Sequence, residues 1–159
     1  IDMLKYLHKR FKIKYDMYKA LIYSSTAGHF QVVKFLVGNG VNPFPKIVRE
    51  VDLYENPLVK AACNGHINIV EYLIKRDESW KKFGGMALMK AVISQHLKIV
   101  SFLVEKGADI FFNIHQYWTW KIATQKGFLD VIKIFEKKGF NLRDYWVEMM
   151  TYCLKSNTT

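Results

Sequence analysis

Asn56-Pro57-Leu58-Val59-Lys60-Ala61-Ala62-Cys63-Asn64-Gly65-His66, continued by Ile67-Asn68-Ile69-Val70-Glu71-Tyr72-Leu73-Ile74, reads as two short helices with a break between them. Ala61 and Ala62 form a small pair that lets the first helix approach a neighbour closely. Gly65 ends that helix, because glycine tolerates the left-handed conformation of a C-terminal cap. Ile69, Val70, Leu73 and Ile74 then fall on one stripe of the second helix.

The same pattern recurs along the chain. Gly28-His29-Phe30-Gln31-Val32-Val33 leads to Leu36, Gln95-His96-Leu97-Lys98-Ile99-Val100 leads to Leu103, and Gly127-Phe128-Leu129-Asp130-Val131-Ile132 leads to Phe135. The anchors at 28, 65, 95 and 127 are separated by 37, 30 and 32 residues. An apolar residue stands seven positions before each anchor: Leu21, Leu58, Leu88 and Trp120. Small or short residues stand just before it, at Ser24-Ser25, Ala61-Ala62, Ala91-Val92 and Ala123-Thr124. Gly40, Gly107 and Gly139 are placed to stop the second helices. Neither helix of such a pair can bury its apolar face alone, so stacking at least three units is what makes a core.

Over residues 14 to 142 the chain resembles the ankyrin-repeat family, whose pattern runs T-P-L-H-x-A-A-x-x-G-H-x-x-V-V-x-x-L-L-x-x-G-A-D with a period near 33. The resemblance implies an all-α ankyrin-repeat α-solenoid in one domain. Residues 1–13 read as a partial N-terminal repeat, 14–46, 47–80, 81–112 and 113–142 as four repeats, and 143–159 as a capping helix with a frayed tail. In the last segment Asp144 is a candidate helix cap, and Trp146, Met149, Met150 and Cys153 fall at near-helical spacing for packing over repeat four. The spacings predict a lengthened loop before Asn56 and a shortened one around Trp80. Departures from the pattern include Gln95 in place of glycine and Asp77 in place of a terminal glycine. Plain loops are therefore expected in place of some of the long β-hairpins between repeats.

Catalytic constellations are missing from the sequence. It holds no phosphate-binding glycine loop, no G-x-S-x-G elbow, no H-E-x-x-H and no Cys/His set at zinc spacing. Cys63 and Cys153 are ninety positions apart and read as two reduced thiols. His29, His66 and His96 follow the helix-ending position and read as the family's ordinary histidines, bonded to neighbouring backbone. The chain is read as no enzyme, with no cofactor and no metal.

The formal net charge is +10, from 24 Lys+Arg against 14 Asp+Glu, and only Arg10, Arg49, Arg76 and Arg143 are arginines. Such an excess marks either contact with nucleic acid or anionic surfaces, or a lysine-rich compositional bias. The cluster Lys9, Arg10, Lys12 and Lys14 reads as a solvated helix end, with a phosphate-tracking patch as the alternative. Apolar runs are far shorter than the roughly 18 residues of a membrane span, so no membrane insertion is expected. The first residue is Ile1, and a longer native polypeptide is expected.

The resemblance also implies where another protein would bind: the loop residues before each first helix and the two positions before each Gly-His. The loop set maps to Tyr18, Tyr54, Glu55, Phe83, Gly85, Tyr117 and Trp118. The helix set maps to Thr26, Ala27, Cys63, Asn64, Ile93, Ser94, Gln125 and Lys126. His115, in a loop, joins them. Exposed Tyr and Trp anchor interfaces well; the alternative tucks Trp80, Phe83 and Trp118 into the stack. The function expected is that of a protein–protein interaction module, an adaptor, scaffold or inhibitor, with nucleic acid or anionic surfaces as the alternative ligand. Degenerate arrays of this kind resemble those of large DNA viruses, protists and intracellular bacteria, so a host-directed protein of the cytoplasm is expected.

Overall fold

The computed structural model describes residues 17–46, 51–114 and 117–147. Four helix pairs stack in chain order. The first helices are α1 (Met17–Thr26), α4 (Pro57–Cys63), α6 (Lys81–Ile93) and α8 (Thr119–Gln125). The second helices are α2 (Phe30–Gly38), α5 (Ile67–Ile74), α7 (Leu97–Glu105) and α9 (Leu129–Glu136). First helices pack on first helices and second on second, so the stack has two helical layers with the core between them. The anchors Leu21, Leu58, Leu88 and Trp120 are buried, as are the stripe residues Val33, Ile69, Ile99 and Val131. The small residues Ser25, Ala62, Ala91 and Ala123 have no exposed surface, which allows the first helices to lie close together.

Each first helix ends in the same way. Gly28, Gly65 and Gly127 have φ of +77°, +80° and +67°, and Gln95 takes φ +58° without being glycine. The backbone amide after each one donates back to the helix, as from His66 N to Ala61 O at 3.0 Å and from Phe128 N to Ala123 O at 2.9 Å. All four unequal repeats thus share one way of closing the first helix.

The connections between repeats differ from one another. Before repeat two, the lengthened connection carries one extra helical turn, α3 (Val51–Tyr54). Asn56, fully buried, then opens α4: its Oδ1 accepts from Leu58 N at 2.9 Å and its Nδ2 donates to Pro43 O at 3.0 Å. Before repeat four lies a short antiparallel hairpin, β1 (Asn113–Ile114) against β2 (Tyr117–Trp118).

The connection around Trp80 is not a loop. Asp77 accepts from Ser79 N at 2.9 Å and starts a 3-10 turn, Glu78–Trp80, which runs directly into α6. Gly84 and Gly85, which look like loop glycines, lie inside that helix. A Cβ on Gly84 would stand 2.7 Å from the Trp80 ring, and one on Gly85 would stand 2.4 Å from the Phe112 ring. The glycines are there because aromatic rings press against the helix.

At the C-terminal end, Asn141 rather than Asp144 caps the next turn, Leu142–Tyr145, by accepting from Arg143 N at 3.1 Å. Asp144 sits inside that turn and accepts from Asn141 Nδ2 at 3.2 Å. Tyr145 supplies the packing on repeat four, with its ring centroid 4.8 Å from that of Trp120 and 5.3 Å from that of Phe140. Trp146 is exposed. The partial repeat at 1–13 and the positions Met149, Met150 and Cys153 lie outside the described residues.

Candidate binding surface

The outward face of the first-helix layer and the connections at its edge bring together most of the residues expected to meet a partner. Near its start, Tyr18, Lys19, Ile22, Tyr23, Pro45, Lys46, Asp52 and Glu55 line a pocket of about 450 Å³. Tyr18 is half-buried, and its hydroxyl donates to Glu55 O at 3.2 Å. Burial pushes its phenol up to about 12, since the charged phenolate would lose water there. Glu55 is exposed, and its carboxylate lies 2.7 Å from Lys60 Nζ. Tyr54 lies half-buried beneath Lys90, whose Nζ is 5.0 Å from the ring centroid.

Asn64, Gln125 and Lys126 are exposed at the ends of first helices. Asn64 Nδ2 donates to Lys60 O at 2.8 Å, which ties it to its own helix. Ser94 is half-buried, with its hydroxyl 3.7 Å from Cys63 Sγ. Ile93 is 46% exposed.

Phe83 is not on this surface. It is 1% exposed, faces the core from α6 and stacks on Phe44 with ring centroids 5.8 Å apart. The helix that replaces the loop turns Phe83 inward, and Trp80 is buried beside it. Tyr117 and Trp118 lie on β2. His115 lies outside the described residues, and so do the side-chain positions of Tyr117 and Trp118.

Tyr23 escaped the sequence reading. It is 72% exposed on α1. Its position, five before the anchor, is the one that Lys60 and Lys90 hold in the next repeats. The lysines at this position in the next two repeats are the signal that would have found it, although the fourth repeat buries Ile122 there.

Two histidines join repeat to repeat. His66 Nε2 lies 3.0 Å from Thr26 O, and His96 Nε2 lies 3.1 Å from Cys63 O. Each ring donates its Nε2 proton to a carbonyl at the end of the preceding first helix. Among the described residues, no group of three or more His, Cys, Asp or Glu side chains is arranged to hold a metal ion. No helix among them is long and apolar enough to cross a membrane.

Residues 45–114 match the family model described as ankyrin repeats in three copies. The chain is built of ankyrin repeats. It is similar to two ankyrin-repeat proteins of Acanthamoeba polyphaga mimivirus, 30% identical over 110 residues and 31% identical over 100. These alignments cover 69% and 62% of the chain but only 16% of each relative. Ankyrin repeats are protein–protein interaction modules and in general are not catalytic. The repeats thus account for the chain's architecture.

Proposed function

We propose that this ankyrin array is a protein-binding module, an adaptor, scaffold or inhibitor, that meets its partner through the first-helix face and the connections at its edge. The observation that carries this reading is that the first-helix layer exposes Tyr23 and Ile93 as well as Asn64, Gln125 and Lys126. Large side chains held on rigid helices bury area in a complex at low entropic cost. Tyr18, Tyr54, Glu55, Ser94, His115, Tyr117 and Trp118 complete the proposed contact set. With mimivirus proteins as relatives, a host protein met in the cytoplasm is the natural partner.

The test is capture of partners by the tagged chain from host lysate, before and after nuclease, repeated with Tyr23→Ala and with Tyr117→Ala/Trp118→Ala. A stoichiometric protein that survives nuclease and is lost with these substitutions, at unchanged melting temperature, supports the reading. Retention of the partner by both variants sinks the assignment. The net charge of +10 favours a second reading, a binder of nucleic acid or anionic surfaces. It predicts a steep loss of affinity with salt.

A further inference from the structure

The acidic residues of the helix pairs all lie in the second-helix layer. The four first helices carry Lys19, Lys60, Lys81, Lys82, Lys90 and Lys121 and not one Asp or Glu. The four second helices carry Lys34, Lys98 and Lys133 against Glu71, Glu105, Asp130 and Glu136. Lysines occur in both layers, and Lys75, Lys106 and Lys137 also close second helices, so what sets the first layer apart is its lack of acids. Here the acids are confined to the second layer and to the connections.

We infer that the first-helix face takes an acidic polypeptide segment, one in which carboxylates alternate with apolar residues. This rests on the protein-binding reading above and names the chemistry of the partner. Lys60 and Lys90 hold equivalent positions on adjacent first helices, about 10 Å apart at the usual helix spacing. Between and beside them the face shows Tyr23, Asn64 and Ile93. Lys60 and Lys90, one on each of two adjacent helices and set well apart, match side chains along a peptide. They do not match a nucleic-acid backbone, whose duplex presents one charge per roughly 1.7 Å and favours dense cations. The first helices also hold no arginine, the residue suited to gripping phosphate with two bonds.

Acids from the connections already touch two of these lysines: Glu55 at Lys60, and Glu78 at Lys81. The Lys81–Glu78 pair is solvent-exposed, and in the other pair Glu55 is exposed while Lys60 is half-buried; ion pairs open to water are weak, and a partner's carboxylate can replace the internal one. Lys90 lies over the Tyr54 ring, which holds its ammonium in place for an incoming carboxylate.

The experiment is fluorescence anisotropy at physiological salt with three labelled probes: a Glu/Leu-rich peptide, a Lys/Leu-rich peptide and single-stranded DNA. The full chain is compared with Lys60→Gln/Lys90→Gln in the first layer and Lys98→Gln/Lys133→Gln in the second, which remove equal charge. The acidic peptide is expected to bind best, and to weaken about tenfold in the first-layer variant only. Lys60→Arg/Lys90→Arg, which keeps the charge, is expected to retain binding. Equal weakening by both layers would overturn the inference in favour of general attraction to a basic protein. Tighter binding of DNA, or no preference for the acidic peptide, would overturn it too. A captured protein lost with Tyr23→Ala but kept by Lys60→Gln/Lys90→Gln would reject the acidic chemistry and leave the protein-binding face standing. A captured protein that ignores both variants would reject the two together.

Discussion

The ring of His66 lies against Gly28 of the preceding repeat so closely that a Cβ there would stand 2.6 Å from the imidazole. His96 lies against Gly65 in the same way, with the nearest ring atom 2.8 Å from such a Cβ. The glycine in the Gly-His pair thus serves two needs. It takes the left-handed φ that ends its helix, and it makes room for the next repeat's histidine to reach the carbonyl two residues earlier. The fourth repeat has Phe128 in place of that histidine, and Gln95 is where the glycine ahead of it has been lost. With no histidine to seat, the clearance is no longer required, and only the left-handed φ still favours glycine there.

This pairing predicts a coupled repair at the junction of repeats three and four. Gln95→Gly relieves a left-handed non-glycine residue and is expected to raise stability by about 1 kcal/mol. Phe128→His alone is expected to destabilise, because its ring would meet the Gln95 side chain. Combined, the two are expected to restore the bond to Ile93 O and to show a favourable coupling of about 1 kcal/mol in a double-mutant cycle. Urea denaturation of the four proteins measures it. Strict additivity would mean that histidine and glycine are independent.

The register of the repeats was readable because it rests on local chemistry. A glycine that must take positive φ and an apolar stripe on a short helix leave marks in one dimension. The connection around Trp80 was not readable, because Gly84-Gly85 is punctuation in a loop and ring clearance in a helix. Only the rings of Trp80 and Phe112, one of them 27 residues beyond Gly85, tell the two apart. The same ambiguity misled the reading of Phe83.

Phe83 and Tyr23 therefore make a matched contrast. Phe83→Ala leaves a cavity in the core and is expected to cost about 3–5 kcal/mol of stability. Tyr23→Ala removes an exposed ring and is expected to change stability by less than about 0.5 kcal/mol. Thermal unfolding followed by circular dichroism separates them. A Phe83→Ala protein as stable as the parent would put that ring back on the surface.

Ser25 shows a small defect of the first repeat. Its hydroxyl is buried with no hydrogen-bond partner, while the equivalent position in repeat two is Ala62. Burying an unpaired hydroxyl costs about 1–3 kcal/mol. Ser25→Ala is expected to recover about 1 kcal/mol of that, because the cavity it leaves is a single oxygen. A shift of the urea midpoint to higher concentration at unchanged slope is the expected reading. Destabilisation would mean that the hydroxyl is bonded after all.

Tyr18 ties stability to alkaline pH. Its phenol ionises near 10 in the unfolded chain and is pushed up to about 12 by burial in the folded one. Between these values the unfolded state has released a proton that the folded state still holds. The stability from this group is therefore complete below about pH 10 and falls as pH rises toward 12. The fall belongs to Tyr18 only to the extent that its hydroxyl is kept from water while bonded to Glu55 O. Tyr18→Phe keeps the ring, removes the ionisable group and is expected to flatten that part of the pH–stability curve, at the cost of one hydrogen bond below pH 10. Ultraviolet titration of tyrosinate, with the folded fraction followed by circular dichroism, reads both effects. An unchanged curve in the variant would show that other groups govern the alkaline transition.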